Sequence, residues 1–234
     1  ELTLAFITGG SRGLGYATAS ALKSKGIDLV LFAKDSERLS NATDKLNAKS
    51  EVVDLENLDE TSQVFDNVLN KYGVPDILIL AHGVMSDRMS KTLRTNLEEW
   101  RRVMSINLDS VFVIVNKVGQ KMAANRNGRI IIYSACLGRM SGPGNAGGLA
   151  PYRISKAGVN ALVRNLAHET GHGSRGLWVD AICPNHSRTD MGGENAPRSA
   201  EKGAATAIWL ATRDLVSGTT QTGLLWEDNE VVPW

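Results

Sequence analysis

Thr8-Gly9-Gly10-Ser11-Arg12-Gly13-Leu14-Gly15 decides how this 234-residue chain is read. It follows an apolar run over residues 2–7 and precedes a segment of helical character over 16–25. A strand, a glycine-rich turn and a helix, in that order, set a phosphate over a helix N-terminus. There the free backbone N–H groups and the helix dipole both favour negative charge. Glycine lets the chain turn sharply and approach a ligand with no Cβ in the way. The flanking strand and helix, at the head of an alternating chain, lift the motif above an ordinary surface turn.

Outward from this turn, strand-like and helix-like segments alternate. Strands are expected at 2–7, 27–32, 51–54, 76–80, 129–134 and 177–183, with a last one at 223–226. Helices are expected at 16–25, 35–48, 59–72, 97–125 and 152–169, and from an N-cap at Ser199 through 211. The glycine-rich stretch 138–150 has no periodicity and reads as a loop. Alternation of this kind means an α/β fold: a doubly wound, Rossmann-type parallel sheet of about seven strands with helices on both faces. Ligands of such sheets bind beyond the carboxyl ends of the strands. No linker or repeat interrupts the chain, so residues 1–234 read as one domain. A cofactor-binding half covers about 1–125, and a catalytic and substrate-loop half about 126–234.

Net charge is +1, which gives no global electrostatic case for nucleic acid or an acidic membrane. No apolar run approaches the roughly 20 residues of a membrane span, and no signal-peptide pattern opens the chain, so a cytoplasmic location is expected. Cys136 and Cys183 lie in apolar, strand-like contexts and read as buried small residues, with no disulfide framework or metal site. His168 and His172 are four apart at a helix end without a third ligand and read as surface residues. Trp178, Trp209, Trp226 and Trp234 read as packing residues.

A second group carries chemistry: Tyr152-Arg153-Ile154-Ser155-Lys156. Tyrosine and lysine four apart at a helix start project from one face. A phenol titrating near 10 is a poor acid–base group at neutral pH unless its phenolate is stabilised, and a nearby ammonium can do that.

With both groups in hand, essentially the whole chain resembles the classical short-chain dehydrogenase/reductase family, in its carbonyl-reductase-like branch. Residues 8–15 resemble its Thr-Gly-x-x-x-Gly-x-Gly cofactor motif, and Tyr152/Lys156 its Tyr-x-x-x-Lys motif. Asp54-Leu55 resembles the acidic step that contacts adenine. Asn107 resembles the helix asparagine that holds a relay water. Pro184 to Thr189 resembles the segment whose threonine meets the nicotinamide carboxamide. The resemblance implies hydride transfer between a nicotinamide ring and a carbonyl or alcohol carbon of a small molecule. Tyr152 would donate the proton, Lys156 would lower its pKa and bind the nicotinamide ribose, and Asn107 would serve the relay. Gly9, Ser11, Arg12, Gly13, Leu14, Gly15, Lys34, Asp54, Leu55, Ala81, Gly83, Pro184 and Thr189 would line the coenzyme with Tyr152 and Lys156. It also implies a homodimer or homotetramer paired through the two long helices.

Coenzyme choice is argued from charge. Sites for NAD(H) place a carboxylate near the end of the second strand to bind the ribose hydroxyls. Here that position is Ala33, followed by Lys34, and Arg12 adds a cation inside the glycine turn. Two cations and no acid suit a 2′-phosphate, so NADP(H) is favoured over NAD(H). Asp35, next in the chain, could reach the same ribose.

Three positions depart from the family pattern. After the fourth strand the chain reads Leu80-Ala81-His82-Gly83 in place of Asn-Asn-Ala-Gly, and His82 either supplies a polar contact or fills space. At the end of the fifth strand Ala135 stands where the family has its catalytic serine. Ser134 is then the candidate hydroxyl, one residue early and facing the other way unless the strand end bends. Ser141, in the loop, is a further candidate. Asn185 replaces a glycine after Pro184, a change asparagine tolerates because it adopts the left-handed conformation readily. These departures carry a second reading, an NADP(H)-binding sensor or interaction protein with weakened catalysis.

Overall fold

The computed structural model describes residues 4–142 and 146–234. Residues 2 and 3 of the expected first strand and 143–145 of the expected loop lie outside them. Eight strands form one sheet: β1 (Leu4–Thr8), β2 (Asp28–Ala33), β3 (Lys49–Val52), β4 (Ile77–Leu80), β5 (Gly128–Tyr133), β6 (Leu177–Ile182), β7 (Leu225–Glu227) and β8 (Glu230–Val232). Their order is 3-2-1-4-5-6-7-8, parallel throughout except for the antiparallel pairing of β8 on β7. The chain therefore winds outward twice from β1, and the switch in direction lies between β1 and β4.

The strands read as almost unbroken apolar runs because both sheet faces are covered. Period-two alternation sorts their side chains into two cores. Phe6, Val30, Phe32, Leu78, Leu80, Ile130 and Ile132 face one way. They pack against Phe65 and Val68 of α3 (Leu58–Tyr72) and Val159 and Val163 of α7 (Ala150–Glu169). Ala5, Ile7, Leu29, Leu31, Ile77, Ile79 and Ile131 face the other way. They meet Leu22 of α1 (Gly13–Ser24), Leu39 of α2 (Ser36–Leu46) and Leu210 of α8 (Ala200–Thr212). Among the described residues, no helix is long and apolar enough to cross a membrane.

The expected long helix over 97–125 is not uniform. It runs as α4 (Leu97–Met104), a π turn at Ser105–Asp109, α5 (Ser110–Ile114), a second π turn at Val115–Gly119 and α6 (Gln120–Ala124). At the first π turn the Ser110 N–H reaches back five residues to the Ser105 carbonyl. Such bulges concentrate at functional sites, and this one holds Asn107.

The expected sheet of about seven strands is present, and among the described residues an eighth, β8, follows a turn at Asp228 and Asn229, both at positive φ (51° and 63°). One expectation needs correction. Cys136 and Cys183 are not free packing residues but form a disulfide. Cys136 opens a 3-10 turn just past β5, and Cys183 follows β6, its parallel neighbour. Register brings their Cα atoms to 5.4 Å, inside the usual range for a bridge. The 47-residue separation in sequence hides that adjacency.

Candidate active site

The glycine turn needs its glycines at two points in particular. Gly13 has φ +56°, a left-handed conformation that Cβ opposes. A Cβ on Gly15 would lie only 2.0 Å from the Gly9 carbonyl oxygen, so nothing larger lets α1 start this close to β1. The first turn of α1 carries no acid, and Arg12 at the N-cap supplies no side-chain bond to its free N–H groups. Orphan donors, a positive dipole end and a Cβ-free approach form a cradle suited to a diphosphate.

A cavity of about 510 Å³ opens beside it at the carboxyl ends of β4, β5 and β6. It brings together Leu14, Ala81, Gly83, Ser134, Tyr152, Lys156, Pro184 and Thr189, residues spread over most of the sequence. The remaining predicted coenzyme residues follow the same sheet edge past β1, β2 and β3: Gly9 to Gly13, then Lys34, then Asp54 and Leu55. Leu55 is buried in the core.

Tyr152 and Lys156 sit in the first two turns of α7 and are both buried. Burial pushes the Tyr152 phenol up to about 12 and the Lys156 ammonium down to about 8. The Lys156 Nζ lies 5.9 Å from the Tyr152 ring centre and donates to the Tyr133 carbonyl at 3.0 Å. Gly83 leaves a gap facing this ammonium. Both Lys156 Nζ and Asn107 Oδ1 stand 3.4 Å from where a Gly83 Cβ would be.

Asn107 is fully buried. Its Oδ1 accepts from the Val84 N–H (2.8 Å), and its amide donates to the Val84 carbonyl (2.9 Å) and Ser155 Oγ (3.1 Å). Both amide hydrogens are spent, and the second Oδ1 lone pair is left toward the gap.

His82 supplies a polar contact rather than filling space. Its Nδ1 lies 2.6 Å from Thr8 Oγ1, and its Nε2 lies 2.7 Å from Ser110 Oγ and 3.1 Å from the Ile106 carbonyl. Ser110 Oγ donates to Ile106 O, and Thr8 Oγ1 accepts from the Ala81 N–H. The consistent assignment has Thr8 donating to Nδ1 and Nε2–H donating to Ser110. Burial, then repulsion from Lys156, holds the imidazole down at about 3, so it stays neutral. One side chain thus ties the end of β1, the end of β4 and the π turn carrying Asn107.

Ser134 has another partner. Its hydroxyl donates to Asn160 Oδ1 at 2.5 Å, against α7, while Ala135 presents a methyl to the cavity. The cavity's other serine, Ser187, donates to the Pro184 carbonyl. Ser141 donates to the Trp234 carbonyl. Asn185 does take the left-handed conformation (φ +60°), and its amide donates to Glu227.

At the coenzyme edge, neither expected cation is alone. Lys34 pairs with Asp54 (3.3 Å), and Arg12 pairs with Asp190 (2.5 Å). A third cation, Arg38 of α2, also reaches Asp190, at 3.2 Å. Arg38 escaped the sequence reading because only the turn of α2 brings it back toward Arg12. Asp35 caps α2 by accepting from the Arg38 N–H.

Comparison with known proteins matches residues 3–200 to the family model described as short chain dehydrogenase. A 3-oxoacyl-[acyl-carrier-protein] reductase of Synechocystis sp. is 34% identical over 197 residues, covering 80% of this chain and 75% of that protein. The 3-oxoacyl-[acyl-carrier-protein] reductase FabG of Salmonella typhimurium is 34% identical over 193 residues, covering 82% and 76%. Among solved structures, one described as ribose-5-phosphate isomerase from Brucella melitensis superposes with a TM-score of 0.83 at 25% identity, covering 95% of this chain and 89% of that one. That likeness speaks to fold, since one fold hosts many activities. Glycine turn, doubly wound sheet and family match agree: this chain belongs to the short chain dehydrogenase family and is an oxidoreductase.

Proposed function

We propose that the protein reduces a ketone, aldehyde or quinone carbonyl to the alcohol with NADPH. The observation that carries this is the burial of Tyr152 and Lys156 in one cavity with the glycine turn's Leu14. The bound coenzyme supplies the hydride, and the protein supplies position, a proton and charge. The free N–H groups of α1 and Gly9 to Gly15 would hold its diphosphate. Arg12, Arg38 and Lys34 would hold a 2′-phosphate, and Pro184 and Thr189 would stand on the nicotinamide side.

Tyr152, protonated at neutral pH, gives its phenolic proton to the carbonyl oxygen as the alcohol forms. Lys156, charged below about pH 8, stabilises the phenolate left behind. Asn107 fixes Val84 and Ser155 and turns Oδ1 to the gap beside Gly83, where a water would pass protons to the lysine. The relatives' names make a 3-oxoacyl thioester the first substrate to test. NADPH consumption with that substrate, and its loss in Tyr152→Phe with coenzyme binding retained, is the test. Unchanged turnover in that variant sinks the role of Tyr152.

One observation favours the second reading, a coenzyme-binding protein with weakened catalysis. Ala135 offers no hydroxyl, and Ser134 is turned to Asn160. NADPH binding with no turnover across a broad carbonyl panel would select it. For assembly we propose a homodimer or homotetramer through α4–α6 and α7, where Leu97, Phe112 and Ile154 are exposed apolar side chains.

A further inference from the structure

Asp190 is the shared counter-ion of two arginines that come from different parts of the fold. Its Oδ2 lies 2.5 Å from Arg12 Nη1, in the glycine turn, and 3.2 Å from Arg38 Nη1, on α2. A carboxylate between two guanidinium groups occupies the same kind of place that a phosphate monoester would take. Asp190 also belongs to the segment that walls the substrate cavity. Thr189, Met191 and Gly192 line the cavity, and Thr189 Cγ2 lies 3.2 Å from where a Gly13 Cβ would be. The base of that segment is tied separately, by Arg198 bridging to Asp228 at 2.6 and 2.8 Å and by pairing of Ser187 with Arg198. Asp190 is the tie at its far side.

We propose that Asp190 is an internal stand-in for the coenzyme's 2′-phosphate and so a specificity-determining residue. It neutralises Arg12 and Arg38 in the coenzyme-free protein and holds the 187–193 segment against the glycine turn. A 2′-phosphate competes for the same two arginines and frees Asp190, whereas the 2′-hydroxyl of NAD(H) leaves the pairs intact. All three side chains are exposed (59%, 45% and 66%), so the pairs are screened and readily exchanged. The native carboxylate therefore lowers affinity for phosphorylated coenzyme without touching affinity for the unphosphorylated one. It also links occupation of the ribose site to Thr189, Met191 and Gly192, which wall the substrate cavity on either side of Asp190. 

The proposal rests on the NADP(H) reading, and calorimetry at low salt separates the two. The probes are adenosine 2′,5′-bisphosphate and 5′-AMP, with wild type, Asp190→Asn, Arg12→Ala and the double variant. Asp190→Asn is expected to bind the bisphosphate about three- to tenfold more tightly, the range two exposed pairs allow. Its affinity for 5′-AMP should stay at the wild-type value, and the gain should be smaller on the Arg12→Ala background, where only Arg38 is left for Asp190 to occupy. Equal or weaker bisphosphate binding by Asp190→Asn, while Arg12→Ala still loses it, overturns the role of Asp190 and leaves the NADP(H) reading standing. If wild type binds the bisphosphate no better than 5′-AMP and Arg12→Ala changes nothing, the NADP(H) reading itself falls, and this proposal with it.

Discussion

At Ala135 the chain presents a methyl group to the cavity where a hydroxyl would stabilise the reacting oxygen. One missing donor at such a position typically costs on the order of 100-fold in rate. Ala135→Ser should therefore raise kcat about 10- to 100-fold with little change in coenzyme affinity, measured by steady-state NADPH oxidation. An unchanged kcat would show that Tyr152 alone suffices. The titrations of Tyr152 and Lys156 set a pH profile. Reduction needs a protonated phenol and a charged ammonium, and Lys156 discharges first, at about 8, well before Tyr152 at about 12. The kcat/KM for reduction should hold through neutral pH and fall tenfold per unit above about 8. A profile flat to pH 10 contradicts that order. Tyr152 and Lys156 were legible as candidates because helical spacing puts them on one face and they follow the fifth strand of a chain that opens on a glycine turn. His82 and Arg38 were not, since their partners Thr8, Ser110 and Asp190 are 74, 28 and 152 residues away.

The helices and strands around the site carry their own tests. His82 joins β1, β4 and the first π turn, so His82→Ala takes the acceptor from the Thr8 hydroxyl and the donor from Ser110 Oγ at the edge of the core. Loss of such a buried network costs about 2 kcal/mol or more, readable as a lower denaturant midpoint, while His82→Asn should recover part of it. A second buried group, Asp180 on β6, anchors β7 and the end of α8. It accepts from Trp226 Nε1 (2.8 Å), Thr222 Oγ1 (3.0 Å) and Arg213 (3.5 Å). Burial outweighs these bonds and pushes its carboxyl up to about 6. Raised above its unfolded value, it contributes stability at low pH that is lost as pH rises from about 4 to about 6. The slope there approaches about 1.4 kcal/mol per unit, and Asp180→Asn should remove it. The element order was readable from alternation, but β8 and the π turns were not. Three residues make too short a period-two signal for β8, and the Asp228-Asn229 turn before it was the missed cue. A π turn adds one residue to a helix without changing its apolar character.

At the scale of the whole molecule, doubly wound topology gathers residues from Leu14 to Gly192 around one cavity. Covered faces on both sides of the sheet made that topology visible in the composition of the strands. The cysteine pair was hidden because its adjacency depends on register between β5 and β6. Phe112 and Ile154 are exposed on the helices through which the oligomer is proposed to pair. Phe112→Glu should convert an oligomer to monomers in sedimentation velocity, and a wild type that sediments as a monomer contradicts this assembly. The central claim, carbonyl reduction with Tyr152 as proton donor, is tested most directly by NADPH turnover of wild type and Tyr152→Phe on a 3-oxoacyl thioester, with binding of NADPH verified for both. The account predicts alcohol formed in step with NADPH consumed by wild type and none by the variant. Turnover by the variant at the wild-type rate would contradict it.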